Sequence, residues 1–202
     1  KATAISRSRI ASVAFCAISL QDLSSRLRSL EMTRPKTSNG IYMPRKTAWV
    51  VVPPCSCEYK YGKFKIPAVD MPMWLRNLTT LVSGICNVDL NSVNINEYAR
   101  ASDSVAWHAD DESLFNNSMT VVSLSVGAAR NFQVRPKSGK DLSNIATIRL
   151  HSGDLLTMEG NFQQEFQHRI LPETGIQNGS RFNLTWRPLT QHRQDCDVFN
   201  PT

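Results

Sequence analysis

The chain has 202 residues, enough for one domain with a sizeable buried core, and its 41% hydrophobic and 20% charged residues are ordinary for a globular protein. No apolar run approaches the roughly 18 residues of a membrane-spanning helix, so no membrane partner is expected. A net charge of +6 favours a polyanionic partner, because Lys and Arg that meet phosphates release condensed counterions.

The first 21 residues lack acidic side chains and carry Ser, Arg7 and Arg9, a composition shared with organelle transit peptides. The chain opens on Lys rather than Met and is read as an arm trimmed from something longer. Leu20, Leu23, Leu27 and Leu30 stand at helical spacing and predict a short amphipathic helix over 19–32. Pro35, Asn39, Gly40 and Pro44 mark a loop. From Thr47 the text turns β-like: TAWVVV is a β-branched run stopped by Pro53-Pro54, and EYKYGKFKI alternates charged with aromatic or apolar residues. A second helix is predicted over 72–82, with Trp74, Leu75, Leu78 and Leu81 facing inward. Seven strand-like stretches follow at short spacing: SVNINEYA, VAWHAD, MTVVSLSVG, RNFQVRP, ATIRL, GDLLTME and RFNLTWRPL. Two helices followed by many strands imply an α+β domain with a sandwich or barrel over residues 93–190.

The five cysteines include Cys55-Ser-Cys57, whose spacing is wrong for a CxxC redox or zinc element. They are read as reduced thiols of an intracellular protein, of the nucleus or cytoplasm unless the Ser/Arg-bearing N-terminus directs it to an organelle. Of the four histidines, His151 precedes the turn Ser152-Gly153-Asp154, and His192 lies in a polar tail with no partner the sequence identifies.

Three pieces carry chemistry. His108 and Asp110, at i and i+2 on a strand, project to one side and can share a metal ion; alone, the pair reads better as a surface histidine beside the acidic turn Asp110-Asp111-Glu112. The connection QQEFQHRI could return His168 to the same sheet end, completing the two-imidazole, one-carboxylate triad that leaves positions open for a co-substrate and O2. In Arg181-Phe182-Asn183-Leu184-Thr185-Trp186-Arg187, the polar residues face one way and the apolar ones the core. Two inward arginines are costly unless an anion pairs with them, and a dicarboxylate such as 2-oxoglutarate does so through guanidinium forks.

Together these residues resemble the AlkB family of Fe(II)/2-oxoglutarate-dependent dioxygenases, in its eukaryotic branch that repairs N-alkylated bases. The likeness runs from about Pro44 to Pro188 and includes Asn96-x-Tyr98, Ser123 to Phe132 and Leu155 to Arg169. It implies a double-stranded β-helix (jelly-roll) core with N-terminal helices and a nucleotide-recognition lid. The expected layout is an N-terminal arm and helix over 1–43, the oxygenase domain over 44–190 with its lid at about 44–70, and a tail over 191–202. The resemblance assigns iron to His108, Asp110 and His168, and 2-oxoglutarate to Arg181, Arg187, Asn183, Asn96 and Tyr98. It further places Tyr59 and Tyr61 on the lid, with Tyr61 stacking on the flipped base; Asp111 and Glu112 at the pocket mouth, attracting cationic 1-methyladenine or 3-methylcytosine; and Arg45 on a phosphate. The implied reaction is oxidative demethylation of a base with O2 as co-substrate and ascorbate as reductant, releasing formaldehyde, succinate and CO2.

Two departures from the family stand out. The segment from Thr47 to Gly62 is long and irregular, and no apolar finger precedes Pro44. Both favour single-stranded DNA or RNA, where bases are presented without the unpairing cost, and a monomeric enzyme is expected. One rival keeps the chemistry but acts on a protein, lipid or small metabolite. Another, a non-catalytic binding module, requires a broken triad, whereas His108, Asp110 and His168 all stand.

Overall fold

The computed structural model describes residues 4–9, 19–112, 114–115, 119–138, 144–173 and 179–199. The first half of the chain forms β1 (Ala4–Arg9), α1 (Leu20–Arg28), β2 (Lys46–Val51), β3 (Tyr59–Tyr61), β4 (Phe64–Ile66), β5 (Ala68–Asp70) and α2 (Met73–Cys86). The second half forms β6 (Ser92–Tyr98), β7 (Val105–His108), β8 (Val121–Gly127), β9 (Arg130–Pro136), β10 (Ala146–Leu150) and β11 (Asp154–Glu159). The four-residue α3 (Phe162–Glu165), β12 (Phe166–Ile170) and β13 (Arg181–Arg187) complete it.

Period-2 alternation builds the architecture. A seven-stranded sheet runs β1-β11-β8-β13-β6-β2-β5, a four-stranded sheet runs β10-β9-β12-β7, and β3-β4 is a separate hairpin. In the large sheet Ala48, Val50, Val93, Ile95, Val122, Leu124, Phe182, Leu184 and Trp186 point to one face and form a core with Leu23 and Leu27 of α1 and Leu75, Leu78 and Val82 of α2. Their neighbours in sequence, among them Trp49, Val51, Tyr98 and Val121, point to the other face and pack against Phe132, Val134 and Ile170 of the small sheet. The result is helices on one sheet and a second sheet facing it, the expected α+β jelly-roll arrangement.

The helices follow their local chemistry. Ser19 caps α1 by accepting a hydrogen bond from the Asp22 amide at 3.0 Å. Helix α2 runs four residues beyond the predicted end, to Cys86, and stops where Asn87 adopts φ 51°, ψ 50°. Its buried face is Leu75, Leu78, Thr79 and Val82; Trp74 and Leu81, expected inside, are half-buried because the sheet meets a stripe rotated toward Thr79. Thr79 makes that stripe adhere, accepting from the Trp186 indole at 2.9 Å while donating to the Leu75 carbonyl at 2.8 Å.

The stretch QQEFQHRI, expected as a connection, is instead α3 and the strand β12. Its alternation is concealed because Phe166, Gln167 and Arg169 are half-buried between the site and solvent. Among the described residues no helix is long and apolar enough to cross a membrane.

Candidate active site

Strands β7 and β12 are antiparallel neighbours, and His108 and His168 are direct partners across the ladder. Their rings lie 4.2 Å apart between centroids. Just past β7, Asp110 is 1% exposed, with Oδ1 3.9 Å from His108 Nε2 and Oδ2 3.8 Å from His168 Nε2. One donor atom from each of the three residues falls within 4.8 Å of the others. The Ala106 carbonyl, 2.9 Å from His108 Nδ1, favours the proton there and leaves Nε2 as a ligand lone pair. Gln163 holds the Asp110 backbone by accepting a hydrogen bond from its amide at 2.9 Å. No sequence motif marks Gln163; only the fold brings it to Asp110.

Electrostatics keep the set ready for a cation. Burial drives the His168 pKa down to about 3, helped by the neighbouring His108, so the imidazole is a neutral donor. Burial also lowers His108. For Asp110 burial acts upward, but Arg187 and the two histidines hold the carboxyl at about 2 and therefore ionised. Arg187 donates from Nη2 to Asp110 Oδ1 at 2.5 Å. Burial opposes its charge, yet Asp110 raises its pKa above the ordinary arginine range.

Strand β13 lies between β6 and β8, and its four polar side chains enter the space between the sheets. Arg181 is 0% exposed; its Nη2 donates to Ser125 Oγ at 2.9 Å and Asn183 Oδ1 at 2.8 Å, while its ring neighbour is Tyr98, 5.2 Å away. Asn183 donates in turn to Ser123 and Thr185. Burial pulls the Arg181 pKa down to about 10. No carboxylate pairs with Arg181 among the described residues. Arg181 Nε and Nη1, Arg187 Nε and Nη1, and Asp110 Oδ2 are all buried without a hydrogen-bond partner. Asp110 and Arg187 line one cavity, and Arg181 reaches it through Asn183; such orphans ask for a ligand that is acidic at both ends and for a cation at Asp110. Two imidazoles and a carboxylate suit Fe(II), and two guanidiniums suit a dicarboxylate, so the residues fit iron and 2-oxoglutarate.

Residues 15–187 match the 2OG-Fe(II) oxygenase superfamily. The chain belongs to that family. Among its sequence relatives is "Alpha-ketoglutarate-dependent dioxygenase alkB homolog 3" of Mus musculus, 37% identical over 155 residues that make up 72% of this chain and 52% of the relative. The Homo sapiens protein of the same name is 35% identical with the same coverage. "DNA oxidative demethylase ALKBH2" of Arabidopsis thaliana is 32% identical over 58% of this chain and 44% of its own length. These relatives place the oxygenase in the AlkB family, and it spans about half the length of each. The solved structure described as "The structure of OsALKBH1" superposes with a TM-score of 0.62 at 17% identity, covering 84% of this chain and 92% of that one, and shares the fold.

The oxygenase arranges the remaining sequence-predicted residues differently from expectation. Tyr61 lies above the metal site, its ring 5.5 Å from that of His108 and at 87° to it. Tyr59, expected beside it as a substrate contact, is 1% exposed, stacked on Trp49 at 4.9 Å, and donates to Glu112 Oε1 at 2.7 Å. Two residues apart on β3, the tyrosines share a face and both line the cavity, but Tyr59 is buried beneath Trp49 and Phe115 while Tyr61 is half-exposed beside His108. Arg45, expected on a phosphate, is 4% exposed and donates from Nε to Asn96 Oδ1 at 2.7 Å, inside the cavity that Asn96 and Tyr98 also line. The lysine beside it, Lys46, faces outward instead. Asp111 is exposed and bonded to Lys137 at 2.8 Å, and neither it nor Glu112 lines the cavity. Burial, then Asp110, pushes the Glu112 carboxyl up to about 7.

Proposed function

We propose that this chain is the catalytic domain of an Fe(II)/2-oxoglutarate dioxygenase that demethylates N-alkylated bases of the 1-methyladenine or 3-methylcytosine type in single-stranded DNA or RNA. The observation that carries the chemistry is the convergence of three ligand atoms and the buried Arg187 on one cavity that Tyr61 also lines, with the buried Arg181 hydrogen-bonded to Asn183 of the same cavity. The names of the relatives, dioxygenases and DNA oxidative demethylases, support the substrate class.

His108, Asp110 and His168 would hold the iron and leave its other positions for co-substrate and O2. The metal, when bound, supplies oxidative decarboxylation of 2-oxoglutarate coupled to oxidation of the base methyl group. Arg181 would hold one carboxylate of the co-substrate, with Asn183, Ser123 and Ser125 fixing the guanidinium's direction. Arg187 would meet its other carboxylate while keeping Asp110 ionised. Tyr61 offers its face to the extruded base, and stacking with a cationic base adds cation–π attraction. Hydroxylation of the N-methyl group leaves a hemiaminal that loses formaldehyde and restores the base.

The phosphate contacts fall to the β3–β4 hairpin, whose exposed Lys60, Lys63 and Lys65 surround Tyr61. Short strands carrying a flat aromatic and flexible cations suit an unpaired strand, and the enzyme acts as a monomer on nucleic acid in the nucleus or cytoplasm.

The test is mass spectrometry of demethylation on methylated single- and double-stranded DNA and RNA oligonucleotides, with Fe(II), 2-oxoglutarate and ascorbate supplied. Loss of the methyl mass with stoichiometric succinate, fastest on single strands, is expected. Succinate formation that no methylated oligonucleotide raises above the uncoupled background refutes the nucleic-acid reading and favours a protein, lipid or metabolite substrate.

A further inference from the structure

Some 140 residues apart in sequence, two segments meet at the link between β2 and β3. The β2–β3 link brings Cys55 and Cys57, and the C-terminal tail brings His192 and Cys196, in a Cys-x-Cys plus His-x3-Cys pattern. Cys55, Cys57 and Cys196 are 8%, 2% and 1% exposed, and His192 is half-buried. Their four ligand atoms all lie within 4.8 Å of one another.

The spacings are those of a tetrahedron. His192 Nδ1 is 3.5 Å from Cys55 Sγ, 3.5 Å from Cys196 Sγ and 3.9 Å from Cys57 Sγ, and the sulfurs of Cys55 and Cys196 are 3.8 Å apart. A tetrahedral zinc with sulfurs at about 2.3 Å and nitrogen at about 2.0–2.1 Å has S···S edges near ~3.8 Å and S···N edges near ~3.6 Å. A disulfide would need the sulfurs at about 2.05 Å. The surrounding backbone completes the cage: the Ser56 amide donates to Cys196 Sγ and the Arg193 amide to Cys57 Sγ, both at 3.4 Å. Amide donors of this kind stabilise thiolates, and they direct the sulfurs inward.

We propose that Cys55, Cys57, His192 and Cys196 bind one zinc ion in a closed structural site, separate from the catalytic triad. Three soft thiolates and an imidazole in tetrahedral array select zinc, and four protein ligands leave no position for a substrate. Cys-x-Cys spacing by itself argued against a zinc element; the other two ligands come from the tail, which only the fold delivers.

The site has a job visible in its connections. The Cys57 carbonyl accepts from the Trp49 indole at 2.8 Å, Trp49 stacks on Tyr59, and Arg193 binds Glu58 at 2.7 Å. Zinc therefore ties the tail to the base of the hairpin that carries Tyr61. This consequence for Tyr61 rests on the proposed substrate reading; zinc binding itself does not.

The full 202-residue chain, dialysed against a weak chelator that strips the catalytic metal, is assayed for zinc by elemental mass spectrometry and for release upon thiol modification. About one zinc per chain is expected, released in step with thiol loss. Cys57→Ser and Cys196→Ser should lower it at least about tenfold, His192→Cys should retain it, and a His108→Ala/Asp110→Ala double variant should leave it unchanged. Cobalt substituted into the unmutated chain should show sulfur-to-metal charge-transfer absorption, which decides the matter even if a cysteine variant fails to fold. Zinc that disappears with the triad but survives Cys196→Ser overturns the proposal. So does substoichiometric zinc without cobalt–sulfur absorption, or an intact mass showing a Cys55–Cys196 disulfide.

Discussion

Replacing Arg181 by Met isolates the co-substrate anchor. The guanidinium is fully buried and has two nitrogens, Nε and Nη1, with no hydrogen-bond partner. Charge-assisted hydrogen bonds contribute about 1.5–3 kcal/mol each, so losing two from a bound carboxylate costs about 3–6 kcal/mol. That corresponds to about a 10²–10⁴-fold weaker 2-oxoglutarate. The fold itself should change little. Removing a buried, unpaired charge gains about 1–4 kcal/mol. Against this stands the loss of the bonds to Ser125 and Asn183, about 1 kcal/mol each or somewhat more. The assay is thermal melting against 2-oxoglutarate with Mn(II) as a redox-inert metal. Ligand at 100 times its Kd stabilises by about 2.7 kcal/mol, which for a chain of this size raises Tm by about 5–10 °C. The unmutated chain should show that rise and Arg181→Met should not, at the same ligand concentration. A variant that keeps the full ligand-dependent rise while melting normally without ligand refutes the assignment of Arg181.

Three further outcomes follow from the same geometry. The metal-free chain should be acid-labile: His168 falls from an ordinary 6.5 to about 3 and Asp110 to about 2, both folded values lying below the unfolded ones. Their stabilisation is complete above pH 6.5 and is lost as pH falls toward 3 and then 2, so Tm measured down this range should drop, and His168→Gln should flatten the upper part of the drop. Tyr61→Ala should raise KM for a methylated oligonucleotide by about 10–100-fold, the worth of one stacked base, without altering uncoupled succinate formation, whereas Tyr59→Ala should lower stability by about 3–5 kcal/mol in denaturant titrations; equal effects on KM from both variants contradict the burial of Tyr59 against Trp49. At Gly127, φ is +96° and an added Cβ would press into the Ser180 carbonyl oxygen, so Gly127→Ala should destabilise by about 1–3 kcal/mol and loosen 2-oxoglutarate binding, since β13 begins at the next residue with Arg181; an unchanged Tm and KM would falsify that role.

Some features needed no tertiary structure. The alternation of Arg181, Asn183, Thr185 and Arg187 with Phe182, Leu184 and Trp186 is a local property of a strand, and the fold places the two sets on opposite faces as their chemistry demands. The pairing of His108 with Asp110 has the same origin. Other features involve partners that no local pattern names. The strand β12 is hidden in a stretch without clean alternation, because its side chains are shared between the site and solvent, so the direct pairing of His168 with His108 emerges only from sheet register. Arg45 reads as a surface cation until Asn96 is seen beside it, and Tyr59 and Tyr61 are indistinguishable until the fold buries one against Trp49 and sets the other edge-on to His108. The sequence by itself determined the strand chemistry, the iron ligands it nominates and the acidic co-substrate its arginines require, since these depend on residue type and a period of two. Tertiary structure alone decided the bond of Gln163 to the Asp110 amide, which tyrosine stands beside His108, and the meeting of Cys55 and Cys57 with His192 and Cys196, because contacts between distant segments depend on how the sheets close and leave no mark in either segment's own pattern.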